Sequence, residues 1–240
     1  MLDGIADRIA SWIFRPQCAA CGAPAMTLCG ACRGSLVELG PACPRCGEPT
    51  GEPTGEHQAP CRRCAKEPLP LDRVVSPWRF GGQLASAIRR LKFAGRAHIA
   101  RDVAPLWAPV LAAAVAEHDA VVVPVPLHWR RRCMRGYDHA WLLARHACAF
   151  AGIAGPVCAL RRIRHAPAQS TLPAAERPAN VRGAFVAGPA ARSITGRAVV
   201  LVDDVMTTGA TLAAAARALR GAGATSITAL VLARATFARE

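Results

Sequence analysis

The segment Val199-Val-Leu-Val-Asp203-Asp204-Val205-Met206-Thr207-Thr208-Gly209-Ala210-Thr211 holds the residue types that take a sugar phosphate. Its four apolar residues predict a central strand. Two adjacent carboxylates stand at the carboxyl end of that strand, the edge at which open α/β sheets receive ligands. A loop with one glycine and three threonines then enters a helix. Its backbone N–H groups and the helix N-terminus form an anion cradle, and Gly209 lets the backbone approach closely. Acids that accept from a diol, next to amides that donate to a phosphate, make a ribose 5-phosphate site. A capped helix after a core strand would account for the glycine and threonines, but not for the paired acids.

The second chemical signal is sulfur. Eight of the 11 cysteines form four Cys-x-x-Cys pairs, Cys18/Cys21, Cys29/Cys32, Cys43/Cys46 and Cys61/Cys64. Each turn points two thiolates at one ion, and two turns complete a closed tetrahedral S4 shell. Zinc is the expected metal, two ions per chain in a structural role; an iron–sulfur cluster or redox dithiols are the alternatives. The spacing suits two sequential ribbons and leaves a cross-braced pairing open. Residues 1–70 hold few large apolar side chains, so metal would supply the folding energy, about 10–16 kcal/mol per site. Cys133, Cys148 and Cys158 show no spacing pattern and read as small core residues.

The elements that position these groups divide the chain into a metal module, residues 1–70, and an α/β domain, residues 71–240. Ile5, Ile9, Trp12 and Ile13 predict an N-terminal helix that Pro16 stops. The repeat Gly47-Glu-Pro-Thr, Gly51-Glu-Pro-Thr, Gly55-Glu reads as a mobile loop tip. Beyond Pro70 the pattern predicts a short strand over 74–80 and a helix through Leu84, Ala87, Ile88 and Leu91 that Gly95 caps. A buried strand over 121–125 and a helix over 138–150 come next, then an irregular arginine-rich stretch over 161–182. Strand 199–202, a helix to about residue 220 and strand 227–232 complete the series. Alternation of strand and helix implies a mostly parallel sheet covered on both faces.

The longest uncharged apolar stretch, Val103–Ala116, falls short of the roughly 20 residues of a spanning helix, and Pro105 and Pro109 interrupt it. No transmembrane segment is expected. Charges near the N-terminus break any signal-peptide core, so the expected location is the cytoplasm.

The net charge is +14, and residues 1–70 carry equal numbers of basic and acidic side chains, so the whole excess lies in residues 71–240. With 52% hydrophobic residues and only 19% charged, the chain can bury a core, which excludes disordered and fibrous classes. Arg89, Arg90, Lys92 and Arg96 form one basic patch beside Trp78, Phe80 and Phe93. Single-strand binders combine arginines that follow phosphates with aromatic rings that stack on bases; Trp78 and Phe80 are either such rings or core residues. Single-stranded DNA is the expected macromolecular partner.

The acid–threonine segment matches at every position the signature of the type I phosphoribosyltransferases, and the chain resembles that fold. Val123-Pro-Val-Pro-Leu-His128, Arg130-Arg131-Arg132, Arg135-Gly136-Tyr137 and Asn180-Val-Arg182-Gly-Ala-Phe185, with the cysteine pairs upstream, resemble the ComF family, also called the GntX or DNA-utilisation family, over essentially the whole chain. That family usually has Arg-Gly-Phe-Asn-Gln where this chain has Arg135-Gly136-Tyr137-Asp138-His139. The resemblance implies that Asp203 and Asp204 meet the ribose hydroxyls of 5-phosphoribosyl diphosphate (PRPP), directly or through Mg²⁺, and that Val205–Thr211 hold the 5-phosphate. It places Val125, Pro126, Leu127 and His128 at the pyrophosphate loop with Arg130 and Arg131 beside them; Arg161–Arg182, polar and interrupted by Pro167, Pro173 and Pro178, is either a mobile cover or a solvated loop. The implied role is DNA uptake and competence, with other competence or helicase proteins as candidate partners. An active phosphoribosyltransferase of nucleobase salvage, or a PRPP-sensing regulator, would use the same residues; no histidine is assigned to catalysis.

Overall fold

The computed structural model describes residues 17–25, 28–50, 59–93, 95–164 and 183–236. The expected N-terminal helix, most of the Gly-Glu-Pro-Thr repeat and the cover from residue 165 to residue 182 lie outside the described residues.

Two short helices, α1 (Gly30–Gly34) and α2 (Arg62–Lys66), belong to the cysteine module. Five parallel strands build the main sheet: β1 (Arg73–Val75), β2 (Trp78–Arg79), β3 (Val121–Pro124), β6 (Ala198–Met206) and β7 (Ser226–Arg234), ordered β1-β7-β6-β3 with β2 also on β7. Val121 pairs with Val199, Ala198 with Ser226, and Arg73 with Thr228. A separate antiparallel pair joins β4 (Leu160–Arg162) to β5 (Phe185–Ala187). The expected irregular stretch therefore begins as a strand, because Leu160 and Phe185 bury themselves in the pairing.

Both faces of the sheet are covered, which is why its strands are continuous apolar runs. Side chains alternate with period two. Val200, Val202, Leu230 and Leu232 face a core with helices α3 (Gly82–Phe93), α4 (Ile99–Ala116) and α6 (His139–Ala151). Val199, Leu201, Ala229 and Val231 face a core with α7 (Ala210–Gly221) and the β4–β5 pair.

Three expectations change. β6 runs past Val202 to Met206 because β7 keeps pairing with it, Asp203 opposite Val231 and Met206 opposite Arg234. The acids thus lie within a strand, and only residues 207–209 form the loop. Helix α4 passes through Pro105 and Pro109 unbroken. Each proline forfeits one helical hydrogen bond, but neither is buried, and Val103, Trp107, Ala108 and Leu111 bury the other face. Among the described residues α4 is the one helix long and apolar enough to cross a membrane, with a mean hydropathy of 1.4, and half of it is buried inside this fold. Of the three unpaired cysteines only Cys148 is in the core; Cys133 and Cys158 are exposed.

A helix absent from the sequence reading, α5 (Trp129–Arg135), follows β3.

Candidate functional site

The cysteines form two sequential clusters, Cys18/Cys21/Cys29/Cys32 and Cys43/Cys46/Cys61/Cys64, each with its sulfurs within 4.8 Å of one another. The N–H of Cys29 donates to Cys18 Sγ at 3.3 Å, and that of Cys61 to Cys43 Sγ at 3.2 Å. Burial and neighbouring thiols push Cys32 up to about 12. At Cys18 burial is outweighed by the amides of Cys21, Cys29 and Ala20, which bring it down to about 6. Four thiols so close ionise together only around a cation, and an all-sulfur tetrahedral set suits zinc. These clusters are structural zinc-ribbon sites, paired sequentially rather than cross-braced.

At the carboxyl ends of β3 and β6 opens a cavity of about 990 Å³. Asp203 and Asp204 stand in its wall, with Val205, Met206, Thr207, Gly209, Ala210 and Thr211 continuing around it. Gly209 is in the left-handed region, φ 84°, and a Cβ there would lie 2.6 Å from Met206 Cε and 3.0 Å from Leu69 Cδ1. Only glycine fits this turn. Thr208 does not line the cavity; its Oγ1 accepts from the Ala210 N–H at 3.4 Å.

Asp204 is buried and held from two sides, by Lys92 Nζ at 2.8 Å and His139 Nε2 at 2.9 Å. Burial alone would raise its pKa, but Lys92 and His139 prevail and hold the carboxyl below its usual range. Asp203 accepts from the Asp204 N–H at 2.9 Å. Burial, then the charge of Asp204, pushes it up to about 7. His139, Asp203 and Asp204 each offer a ligand atom within 4.8 Å of the others, a group able to take a divalent cation. Two carboxylates suit Mg²⁺, an ion with oxygen ligands.

The sequence pattern puts Lys92 in the DNA patch; the structure sets it in this cavity instead, since α3 turns that face toward Asp204. The departure at residues 137–139 also acquires a physical role. Asp138 caps α6, accepting from the Trp141 N–H at 3.3 Å, and its other oxygen accepts from the Leu127 N–H at 2.7 Å, fixing the loop after β3. Tyr137 donates its hydroxyl to the Leu91 carbonyl. Arg135 Nη1 lies 2.8 Å from His139 Nδ1; the guanidinium can only donate, so His139 carries its proton on Nε2 and gives it toward Asp204.

Of the expected pyrophosphate loop, Val125, Pro126, Leu127 and Arg131 line the cavity, whereas His128 and Arg130 do not. His128 is buried as the N-cap of α5, its Nδ1 accepting from the Arg130 N–H at 3.3 Å. Arg130 is exposed, with its guanidinium 5.4 Å from the centre of the Trp129 ring. In the basic patch, Arg89 is exposed at the cavity edge and Arg96 is half-buried. Arg90 leaves the patch: its Nη1 is buried and points at Gly22 of the first ribbon. Trp78 and Phe80 are partly buried against the core, and Phe80 also lines the cavity.

Sequence reasoning missed Lys92 and His139 as cavity residues and has Arg162 only as part of the Arg161–Arg182 cover. Arg162 is 7% exposed, lines the cavity, and its Nε and Nη2 have no hydrogen-bond partner among the described residues. A buried guanidinium left this way is costly unless an anion arrives. The usable signal was its alternation with Leu160 in a short strand.

Residues 136–239 match the phosphoribosyl transferase domain, and residues 9–65 match the double zinc ribbon domain. DNA utilization protein YhgH of Salmonella typhi is 31% identical, over 83% of this chain and 87% of its own length. Competence protein F of Haemophilus influenzae is 31% identical over 87% of this chain and 90% of its own. Competence protein ComFC of Bacillus subtilis is 28% identical over 88% and 85%. With the sequential zinc ribbons, the parallel sheet and the acid pair at the end of β6, these likenesses run through both modules, and the chain belongs to the ComF family.

Proposed function

We propose that this protein binds PRPP, or a related ribose 5-phosphate compound, with Mg²⁺ in the cavity at the end of β6, and handles single-stranded DNA on the basic surface of the same domain. The observation that carries the reading is the placement of Asp203 and Asp204 beside the Gly209 turn in one 990 Å³ cavity. A pure scaffold has no physical need for two adjacent carboxylates there.

In this reading Asp203 and Asp204 accept from the ribose hydroxyls, and the amides and hydroxyls of residues 205–211 hold the 5-phosphate. Bound Mg²⁺ would supply charge neutralisation at the phosphate oxygens. Arg131 and Arg162 meet the diphosphate, and Lys92 and His139 keep Asp204 ionised and oriented. Arg162 also favours a second reading, phosphoribosyl transfer, because a guanidinium with free donors is suited to a departing diphosphate. The names carried by the relatives, DNA utilization and competence, supply the biological setting.

Titration of zinc-loaded protein with PRPP and Mg²⁺, and separately with single-stranded DNA, followed by a product search with nucleobases, tests these readings. Binding of both ligands is expected. Failure of PRPP and ribose 5-phosphate to bind would remove the cavity reading, and a base-dependent release of diphosphate would establish transfer.

A further inference from the structure

Helix α5 has the sequence Trp129-Arg-Arg-Arg-Cys-Met-Arg135, and none of its residues is buried. A helix of seven residues is unstable alone, and this one contributes nothing to the core. Its ends are fixed by the His128 cap and by Gly136 at φ 83°, whose N–H donates to the Arg132 carbonyl at 2.8 Å, and Arg131 and Arg135 turn toward the cavity, while Trp129, Arg130 and Arg132 stay exposed. Such an arrangement displays side chains rather than packing them. Those displayed are aromatic and cationic. Trp129 is 61% exposed with the Arg130 guanidinium over its ring, and Phe93, at the end of α3, is 71% exposed with Arg135 over its ring. In each pair an arginine covers one face, and the high exposure leaves ring surface open to a second planar group.

Resting on the single-stranded DNA reading above, we infer that α5 with Phe93 is the landing platform for an unpaired nucleic-acid strand, its bases stacking on Trp129 and Phe93 and its phosphates lying on Arg130 and Arg132. The charge is complementary, since the entire +14 excess lies in this domain, and base-on-ring stacking with arginine contacts needs no particular sequence. An anionic membrane surface is the less suitable occupant: the arginines at positions 130, 131, 132 and 135 interrupt any continuous apolar face on so short a helix. The platform differs from the patch of Arg89, Arg90 and Arg96; Phe93 also lines the cavity, whereas Trp129 does not.

Fluorescence anisotropy with a short labelled oligothymidylate, on zinc-loaded full-length protein, tests the assignment. Trp129→Ala is expected to weaken binding about tenfold with an unchanged salt slope, because stacking is uncharged. Arg132→Ala is expected to flatten the log–log salt dependence by about 0.7. Both variants should bind PRPP as the parent does, since neither residue lines the cavity. Duplex DNA, whose bases are already stacked, should not register the loss of Trp129. Wild-type affinity and slope in both variants would overturn the platform while leaving DNA binding elsewhere on the domain. Failure of the parent protein to bind the oligomer would overturn the platform and the DNA reading together. Retained oligomer binding, with Trp129→Ala abolishing association with phosphatidylserine vesicles, would reassign the helix to membranes.

Discussion

The two zinc ribbons are local copies that do different work. Cys18-Ala-Ala-Cys21-Gly22-Ala-Pro24 and Cys43-Pro-Arg-Cys46-Gly47-Glu-Pro49 form the same knuckle, with Gly22 at φ 82° and Gly47 at φ 64°. Gln17 bridges Pro24 as Ala42 bridges Pro49, and Sγ–Sγ approaches of 3.7 Å join Cys21 to Cys29 and Cys46 to Cys61. An arginine of the α/β domain meets each knuckle at its glycine, Arg90 at Gly22 and Arg234 at Gly47.

What those arginines do separates the ribbons. Arg234 is 0% exposed and fully engaged: Nε donates to the Cys46 carbonyl at 3.0 Å, Nη1 to the Met206 carbonyl at 3.2 Å and to the Ala235 carbonyl, and Nη2 pairs with Glu48 at 2.8 Å. One guanidinium therefore ties the second metal knuckle to the residue from which the Gly209 turn departs. Arg45 adds a bond to the Leu71 carbonyl at 3.1 Å. Among the described residues Arg90 makes no comparable bridge, and its buried Nη1 lacks a partner. The first ribbon covers α3 and α4 through apolar contact, with Cys21 left exposed. Identical metal chemistry thus serves as a cover in one place and as a buttress of the cavity at the end of β6 in the other.

The largest expected effect is on metal. Elemental analysis should give two zinc ions per chain, and stripping both should cost the ribbons their folding energy, about 10–16 kcal/mol per site. Cys46→Ser should damage PRPP binding as well as zinc content, whereas Cys21→Ser should lose zinc with PRPP binding largely kept. Equal damage to PRPP binding from both would erase the distinction drawn here.

Next in size is Arg234→Met, which removes the partner of Glu48 and a donor to three backbone carbonyls. Removing one partner of a buried pair costs about 3–5 kcal/mol, read by urea denaturation of the zinc-loaded protein, and the PRPP affinity should fall with it. Arg90→Ala should stay within about 0.5 kcal/mol of the parent, because no bonded partner is lost.

The smallest effect concerns salt. If Arg89 and Arg96 contact phosphates, their joint replacement by alanine should flatten the log–log salt slope for single-stranded DNA by about 1.4. Arg90→Ala should leave the slope unchanged, since that side chain belongs to the ribbon contact. A slope that responds to Arg90 alone would contradict this division.

Much of this architecture was legible before any coordinates. The branched runs at 121–125 and 199–202 announced buried parallel strands because both faces of the sheet are covered. The four cysteine pairs announced the zinc ribbons and the Asp203-Asp204 loop segment the phosphoribosyl transferase domain, because each signature lies in residues close together in the chain. Contacts between distant segments were not legible. Lys92 and His139 reach Asp204 from helices more than 60 residues upstream, and nothing local marks either as its partner. Arg90 and Lys92 read alike as a basic patch, yet α3 sends one to the ribbon and the other to the cavity. Pro105 and Pro109 misled because the burial of Trp107 and Leu111 outweighs the lost hydrogen bonds.

The central claim is that the acid pair at the end of β6 holds a ribose phosphate. Calorimetric titration of the Asp203→Ala/Asp204→Ala double variant with PRPP and Mg²⁺, after circular dichroism and zinc analysis have shown a folded, metal-loaded protein, tests it most directly. The account predicts a loss of about 1.5–3 kcal/mol for each charged hydrogen bond removed. An affinity equal to that of the parent protein would contradict it.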